Sequence, residues 1–400
     1  MAFVLVMFFL LSLPSLKLRP CYGIKDGRKE RPLNFWNNIP RPIVALSPMD
    51  GVTDPCFRRI VATHGRPDLI VTEFTSVEGI LHGAESELGG LVFDEVERPI
   101  VAQIYGSKPE SFFLIAQLVC ELGFDGLDIN MGCPAKAVSS RGCGAGLIAD
   151  PPRAKAIIQA ARQGIDAWVA GHSLPLEELH PKIGEWIARR KEAGQRPPSE
   201  RRPLPVSVKT RLGVNRIVIR EWVGHLLEEK PAAISIHGRT LNQGYRGAAD
   251  WKAIAEAVSV ARGSGTLILG NGDIRSLNEA ADRIRESGVD GVLIGRAALG
   301  NPWIFRNKPA LREALSQSEP LPISENPGSS LERLDAALEH ARIFQESRPL
   351  SRFAEMRKHL GWYCKGFPGA SQLREKLVRV HNVEEVEALL APFLSEVSYR

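Results

Sequence analysis

Cys133 stands just past an apolar run, Gly126 to Ile129, that ends at Asn130, and it opens a basic, glycine-rich loop. The loop carries Lys136, Arg141, Gly142, Gly144 and Gly146, and a helix-like pattern resumes near Pro152. A buried strand that delivers an amide and a thiol into such a loop suits an enzyme whose cysteine works beside a bound anion. Other polar residues recur at the ends of other apolar runs. Pro48, Met49 and Asp50 follow 43–47, Glu73 closes 69–73, and Gln103 lies in 100–104. Lys209 closes 205–209 with Arg211 just beyond, and His237 closes 232–237 with Arg239 just beyond. Asn271 and Asp273 follow 266–270, and Gly295 and Arg296 follow 289–294.

The elements that must position these residues follow from the runs themselves. The runs are short, β-branched and nearly continuous in apolar character, as in strands buried on both faces of a parallel sheet. With 125–130 they number eight, and amphipathic stretches such as 109–122 and 276–287 lie between them. Eight alternating units predict an α/β protein of the (β/α)8 TIM-barrel class rather than an open doubly wound sheet. Barrel enzymes build their sites at the C-terminal ends of the strands, where the polar residues fall. The turns GNGDI (270–274) and IGRAALGNP (294–302) occupy the usual phosphate position of this fold, with Arg296 able to add a charge-assisted contact. Two ordinary turns using glycine for positive φ are the plainer alternative.

The chain has 400 residues, 44% hydrophobic and 24% charged, which is long enough for one large domain and a small one. The formal net charge of +5 is compatible with a polyanionic partner without requiring one. Six scattered cysteines, Cys21, Cys56, Cys120, Cys133, Cys143 and Cys364, form no CxxC pair, which favours free thiols in a reducing cytoplasm over disulfides or a metal site. The apolar start, MAFVLVMFFLLSLPSL, is short for a membrane span and lacks a basic leader. It reads as an over-extended start or a disordered tail, so residues 1–38 are expected to be an extension outside the fold. The barrel is assigned to 39–310, with a partly disordered insertion at 164–204, and a linker to 311–330. A small all-α domain is assigned to 331–400, from helix-like stretches at 331–347, 351–364 and 383–394.

Taken together, the motifs resemble the tRNA-dihydrouridine synthase family over about residues 41–305. The carriers are LSPMDGVTD (46–54), TEF (72–74), VAQIYG (101–106), DINMGCPAK (128–136), VSVKTRLG (206–213), IHGRTLNQGYRGAADW (236–251), GNGDI (270–274) and IGRAALGNPW (294–303). The tail segment MRKHLGWYCKGFPGASQLR (356–374) is similar to bacterial members. The resemblance implies an FMN-dependent enzyme that reduces a D-loop uridine of tRNA, its flavin reloaded by NADPH or NADH. By motif position it implies that Pro48 and Met49 face the flavin and that Gln103 and Lys209 bond its ring edge. His237, Asn271, Asp273, Gly295 and Arg296 would hold the ribityl chain and phosphate. Asn130 and Arg239 would orient the target uracil, and Cys133 would be the acid, with Lys136, Arg141 and Tyr245 further contacts to the RNA.

The residue types suit that chemistry independently. Adding a hydride to C6 of uracil requires a proton at C5, and a thiol can give it if it stays protonated near neutral pH. Lys136 and Arg141 would push Cys133 the other way unless RNA phosphate occupies them. The segment 352–379 holds Arg352, Arg357, Lys358, Lys365, Arg374, Lys376 and Arg379, with Trp362, Tyr363 and Phe367 between them. That is a candidate RNA surface, although composition alone favours a solvated face with its aromatics packed inward. The expected partner is tRNA, with no metal, no membrane and a monomeric protein. The rivals are an FMN barrel that oxidises or reduces a free dihydropyrimidine or dihydroorotate, and an RNA-binding barrel without catalysis.

Overall fold

In the computed structural model, which describes residues 34–139, 141–192, 197–317, 322–324 and 328–395, nine strands make one sheet. They are β1 (Ile43–Leu46), β2 (Ile70–Val71), β3 (Thr75–Ser76), β4 (Ile100–Tyr105), β5 (Gly126–Met131), β6 (Val206–Arg211), β7 (Ala233–His237), β8 (Leu267–Asn271) and β9 (Gly291–Ile294). Every pairing is parallel, and the β2–β4 contact closes the order β2-β1-β9-β8-β7-β6-β5-β4 into an eight-stranded ring. This is the expected barrel. The unexpected strand, β3, pairs only Thr75 and Ser76 with the end of β4 and is too short to show a pattern in sequence.

Alternation along each strand sorts its side chains into two layers. Ile43 and Ala45 of β1, Val101 of β4, Ala233 of β7 and Leu267 and Leu269 of β8 cluster with Phe35, Trp36 and Ile39. Their neighbours Val44, Leu46, Ile100, Ile234, Ile236 and Ile268 pack instead with the surrounding helices. The first set faces the barrel axis. On the same inward rows, further along, stand Gln103, Asp128, Asn130, Ser207, Lys209, Arg211, His237 and Asn271. An apolar floor therefore supports a polar top. The floor also corrects the expected extension: Phe35 and Trp36 lie in a helical turn, Phe35–Asn37, and are buried as its plug. The apolar residues before them lie outside the described range.

Helices alternate with the strands and are capped where they leave the site-bearing loops. Asp54 accepts from the Phe57 N–H at 2.9 Å, Asp250 from Ala253 at 2.9 Å, and Ser276 from Glu279 at 3.0 Å. Each such cap contributes about 1 kcal/mol. In helix Pro55–His64 the Arg58 side chain is fully buried, donating to Glu97 at 2.7 Å and to the carbonyls of Thr53 and Val92 at 3.0 and 2.6 Å. Removing one partner of such a pair costs about 3–5 kcal/mol, because a buried charge is left uncompensated.

Three boundaries differ from those expected. Helix Pro151–Val169 runs past 164, and helix Pro181–Glu192 inside the insertion is packed, with Ile183 and Ile187 buried in the main core. Helix Lys308–Ser316 follows β9 as the barrel's eighth helix, so it straddles the boundary placed at 310. Within the supposed linker, the Ile323 N–H and carbonyl both bond the Asn278 side chain at 2.9 Å. Beyond it come Ser330–Ser347, Arg357–Tyr363, Ala370–Leu377 and Val383–Ser395, of which Ala370–Leu377 has no counterpart in the sequence reading.

These helices share a core with the barrel. Cys56, Ile60 and Trp303 pack into one cluster with Leu334, Ala337, Phe344, Met356 and Leu360. A tight approach lies at Gly300, φ +61°, where a β-carbon would lie 2.1 Å from the Trp362 carbonyl oxygen. Only glycine fits there, on both backbone and contact grounds.

Candidate active site

The strand ends enclose a cavity of about 900 Å³. Its wall includes Pro48 and Met49 after β1, Gln103 of β4, Asn130 and Cys133 at the end of β5, and Lys209 and Arg211 of β6. It continues through His237, Tyr245, Asn271, Asp273, Gly295 and Arg296. The size suits a large ligand with room beside it.

Behind the thiol runs a chain of polar side chains that crosses β4, β5 and β6. Ser207 donates to Asp128 at 2.6 Å, and the Gln103 amide donates to the other Asp128 oxygen at 2.7 Å. Asn130 Nδ2 donates to Gln103 Oε1 at 2.9 Å. Asn130 Oδ1 then accepts the backbone N–H groups of Gly132 and Cys133 at 3.0 and 2.8 Å. A carboxylate only accepts, so Asp128 fixes which way Gln103 points and, through it, which way Asn130 points. Burial pushes the Asp128 carboxyl up to about 6, against the bonds from Ser207 and Gln103 and the charge of Lys209, so it is mostly ionised at neutral pH. Gln103 and Asn130 each keep one amide N–H for a ligand.

Cys133 is buried to 6% exposure. Burial raises its thiol pKa and Asp50 adds to the rise, while the Ala135 N–H and the charges of Arg211 and Lys209 oppose it. The thiol is therefore protonated at neutral pH, as the chemistry requires. Among the described side chains, the cations acting on it are Arg211 and Lys209. Arg141 is exposed and off the cavity wall, and Lys136 lies in the turn Lys136–Ser139 with its side chain outside the described range.

The opposite wall is cationic. Lys209 is pushed down to about 8 by burial and by Arg211, and its ammonium makes only a long 3.4 Å contact with the neutral Asn271 amide. Arg211 donates to the carbonyls of Gly132, Thr240 and Gly244 at 2.7, 3.3 and 3.2 Å. His237 is pushed down to about 2 by burial and by Lys209, Arg211, Arg239 and Arg296, so it is neutral. Its Nε2 lies 3.3 Å from Arg239, which can only donate, so the ring proton sits on Nδ1. Five cations, Lys209, Arg211, Arg275, Arg296 and Lys365, thus share the cavity wall with two carboxylates, Asp50 and Asp273. Such a cavity favours an anionic ligand.

Asp273 and Arg239 take parts different from those expected. Asp273 accepts from Arg239 at 2.6 Å, the Ala249 N–H at 2.8 Å and Arg296 at 3.1 Å. Burial raises its pKa, but the Arg239 and Ala249 bonds and both arginine charges leave it lowered. Arg239 is buried, also donates to the Gly247 carbonyl at 2.6 Å, and does not line the cavity. It clamps the loop after β7. Arg296 and Tyr245 stand at the mouth, the guanidinium 5.9 Å from the ring and Tyr245 69% exposed. Gly272, φ +129°, lies where a β-carbon would meet Ala249 at 2.7 Å and His237 at 3.2 Å, so bare backbone forms that part of the wall.

The supposed basic RNA face is mostly occupied. Arg352 bonds Glu355, Arg357 the Val380 carbonyl, Lys358 the Gly51 carbonyl, Arg374 the Cys364 carbonyl and Arg379 Glu375. Tyr363 is buried and Phe367 packs edge-on against Phe393. The inward-packed alternative describes these aromatics better. Sequence reasoning missed Asp128 and Ser207, and it noted Arg211 without giving it a role. Strand alternation carried the signal, since each lies two residues from a chosen site position.

Fold and site together define a (β/α)8-barrel enzyme built to hold a large anionic ligand beside a protonated thiol. The chain belongs to the dihydrouridine synthase (Dus) family, whose profile matches residues 44–173 and 199–398, and it is an oxidoreductase of that FMN-dependent kind. It is 37% identical over 368 residues to a probable tRNA-dihydrouridine synthase 2 of Bacillus subtilis (strain 168), covering 90% of this chain and 96% of the relative. It is 35% identical over 372 residues to a probable tRNA-dihydrouridine synthase of Staphylococcus aureus (strain COL), covering 91% and 97%. A solved DHODH from Eimeria tenella, in complex with ferulenol, superposes with a TM-score of 0.43 at 13% identity, covering 66% of this chain and 78% of that one, too distant to argue from. Among the described residues no helix is long and apolar enough to cross a membrane, and no group of side chains has metal-ligand spacing.

Proposed function

We propose that this protein reduces a uridine of tRNA to 5,6-dihydrouridine, with Cys133 as the proton donor. The observation that carries the reading is a thiol held protonated in the wall of a cationic barrel cavity, in a chain of the dihydrouridine synthase family. An FMN fits the residues present. Lys209 makes no ion pair at bonding distance among the described residues, the Gly272–Asp273 backbone forms a bare wall, and Arg296 stands at the mouth. Lys209, Gln103 and Asn271 would bind its ring edge, with Pro48 and Met49 against the ring. His237, Gly295 and Arg296 would hold the chain and phosphate, and Asp273 would orient Arg296. The chemistry that FMN would bring is hydride donation to C6 of the pyrimidine.

Cys133 would hold the proton for C5. The thiolate left behind would face the charges of Arg211 and Lys209, which favour that form. Asn130, whose carbonyl fixes the Cys133 backbone, would keep the donor in place and offer its spare N–H to the base. Tyr245 at the mouth would stack on unpaired RNA. The base must leave its stack to enter, at a cost of about a few kcal/mol. NADPH or NADH would supply the electrons, and the cytoplasm is where these substrates meet.

Mass spectrometry of unmodified tRNA incubated with the holoprotein and NADPH tests the reading. A gain of two hydrogens at a D-loop uridine is the expected result. Oxidation of NADPH with a free pyrimidine, and none with tRNA, would move the protein to the small-molecule class.

A further inference from the structure

The helical region reaches the cavity through one side chain. Among the described residues beyond Ser330, only Lys365 lies on the cavity wall. Its turn is fixed from several sides. Arg333 donates to the Lys365 carbonyl at 2.9 Å, Arg374 donates to the Cys364 carbonyl at 2.7 Å, and the Lys365 N–H bonds Tyr363 at 3.0 Å. The ammonium donates to the Leu299 carbonyl at 3.1 Å, which leaves two of its N–H bonds for another acceptor. A lysine side chain loses up to about 2 kcal/mol of rotamer freedom when it is held. A lone neutral carbonyl at the mouth of a cavity is a modest return for that ordering, whereas an anion entering the mouth would be a strong one.

The neighbouring cations of the same segment do not reach the cavity. Arg352, Arg357, Lys358, Arg374 and Arg379 are engaged within the protein, and Lys376 is exposed and off the cavity wall. Lys365 is instead aimed at the place where a nucleotide would cross from the helical region into the barrel.

We propose that Lys365 is a substrate-positioning residue that takes a backbone phosphate of the RNA beside the nucleotide inserted in the cavity. This rests on the tRNA reading above. It makes the helical region part of the active-site rim and not only a remote RNA platform.

The test uses the FMN-loaded full chain as wild type, Lys365→Met, which keeps the stem without the charge, and Lys365→Arg, which keeps the charge. Three quantities are compared: tRNA affinity against salt, dihydrouridine formation at limiting and saturating tRNA, and bleaching of the flavin by NADPH without tRNA. The Met variant should lose roughly tenfold in kcat/KM for tRNA, mostly in KM. Its plot of log affinity against log salt should be shallower by about one phosphate contact. Flavin bleaching should stay at the wild-type rate, and Lys365→Arg should recover most of the loss. A Met variant with wild-type affinity and salt slope overturns the proposal. So does a variant whose flavin bleaching slows while its tRNA kinetics hold, since the lysine would then serve the reductant. If wild type itself forms no dihydrouridine, the functional reading falls and takes the proposal with it, and only that outcome appears in the wild-type lane.

Discussion

His237 in the barrel and His340 in the helical region are both buried and both neutral, for different reasons. Four cations crowd His237, and they do as burial does, pushing it down to about 2. His340 is pushed down to about 4 by burial alone, against the nearby carboxylates of Asp54 and Glu339. It sits against His359 at 4.8 Å and Phe57 at 6.1 Å between ring centroids, and its Nδ1 lies 3.2 Å from the Tyr363 hydroxyl. The first environment is an unbalanced charge that an incoming anion completes. The second is a packed contact between barrel and helices, with no cation acting on the ring. Burial of a histidine says little about function until the charges around it are counted.

Substitutions should separate the two regions. Cys133→Ala should slow dihydrouridine formation by about 10²–10⁴-fold while flavin content and thermal midpoint hold, as for loss of a general acid. A matching fall in stability would show that the thiol is a packing residue and break the contrast. Gly300→Ala, forced against the Trp362 carbonyl in a left-handed conformation, should lower stability by about 3 kcal/mol in denaturant titration with flavin chemistry intact in the folded fraction.

Lys209→Met should weaken flavin binding by roughly ten- to a hundredfold, by fluorescence titration. The wild type should itself bind less tightly as pH rises through about 8, where Lys209 loses its proton, and the variant should lack that limb. The last test concerns the packed contact. An unfolded His340 titrates near 6.5 and the folded one near 4, so the stability of neutral packing is fully present above 6.5 and is lost as pH falls towards 4. His340→Leu should flatten that acid limb, in denaturant titrations run from pH 7 to 4, without moving the activity profile.

Much of this was legible in the residues. The eight runs gave the ring of strands because both faces of a barrel strand are apolar below the site. The polar residue at each run's end gave the cavity, because the inward row turns polar only at the top. β3 was invisible because two residues carry no period. The hold of Arg239 on its own loop was not legible, because its type suits a base as well as a loop and the bonds to Asp273 and Gly247 exist only in three dimensions. The internal bonds of the basic strip were hidden for the same reason: sequence counts charges but not the carbonyls and carboxylates that engage them. Ala370–Leu377 is hidden by a weak apolar pattern, with three buried residues, Ala370, Leu373 and Leu377, in its eight.

The chain of bonds from Ser207 through Asp128, Gln103 and Asn130 to the Cys133 backbone has a consequence for inheritance. No link in it can be exchanged alone, since each loss leaves the next buried polar group unmet at a cost of about 1–3 kcal/mol. Lineages of this protein should therefore keep or replace these positions in concert. A descendant that had abandoned the chemistry would show it first as a scattered set of apolar residues at all four.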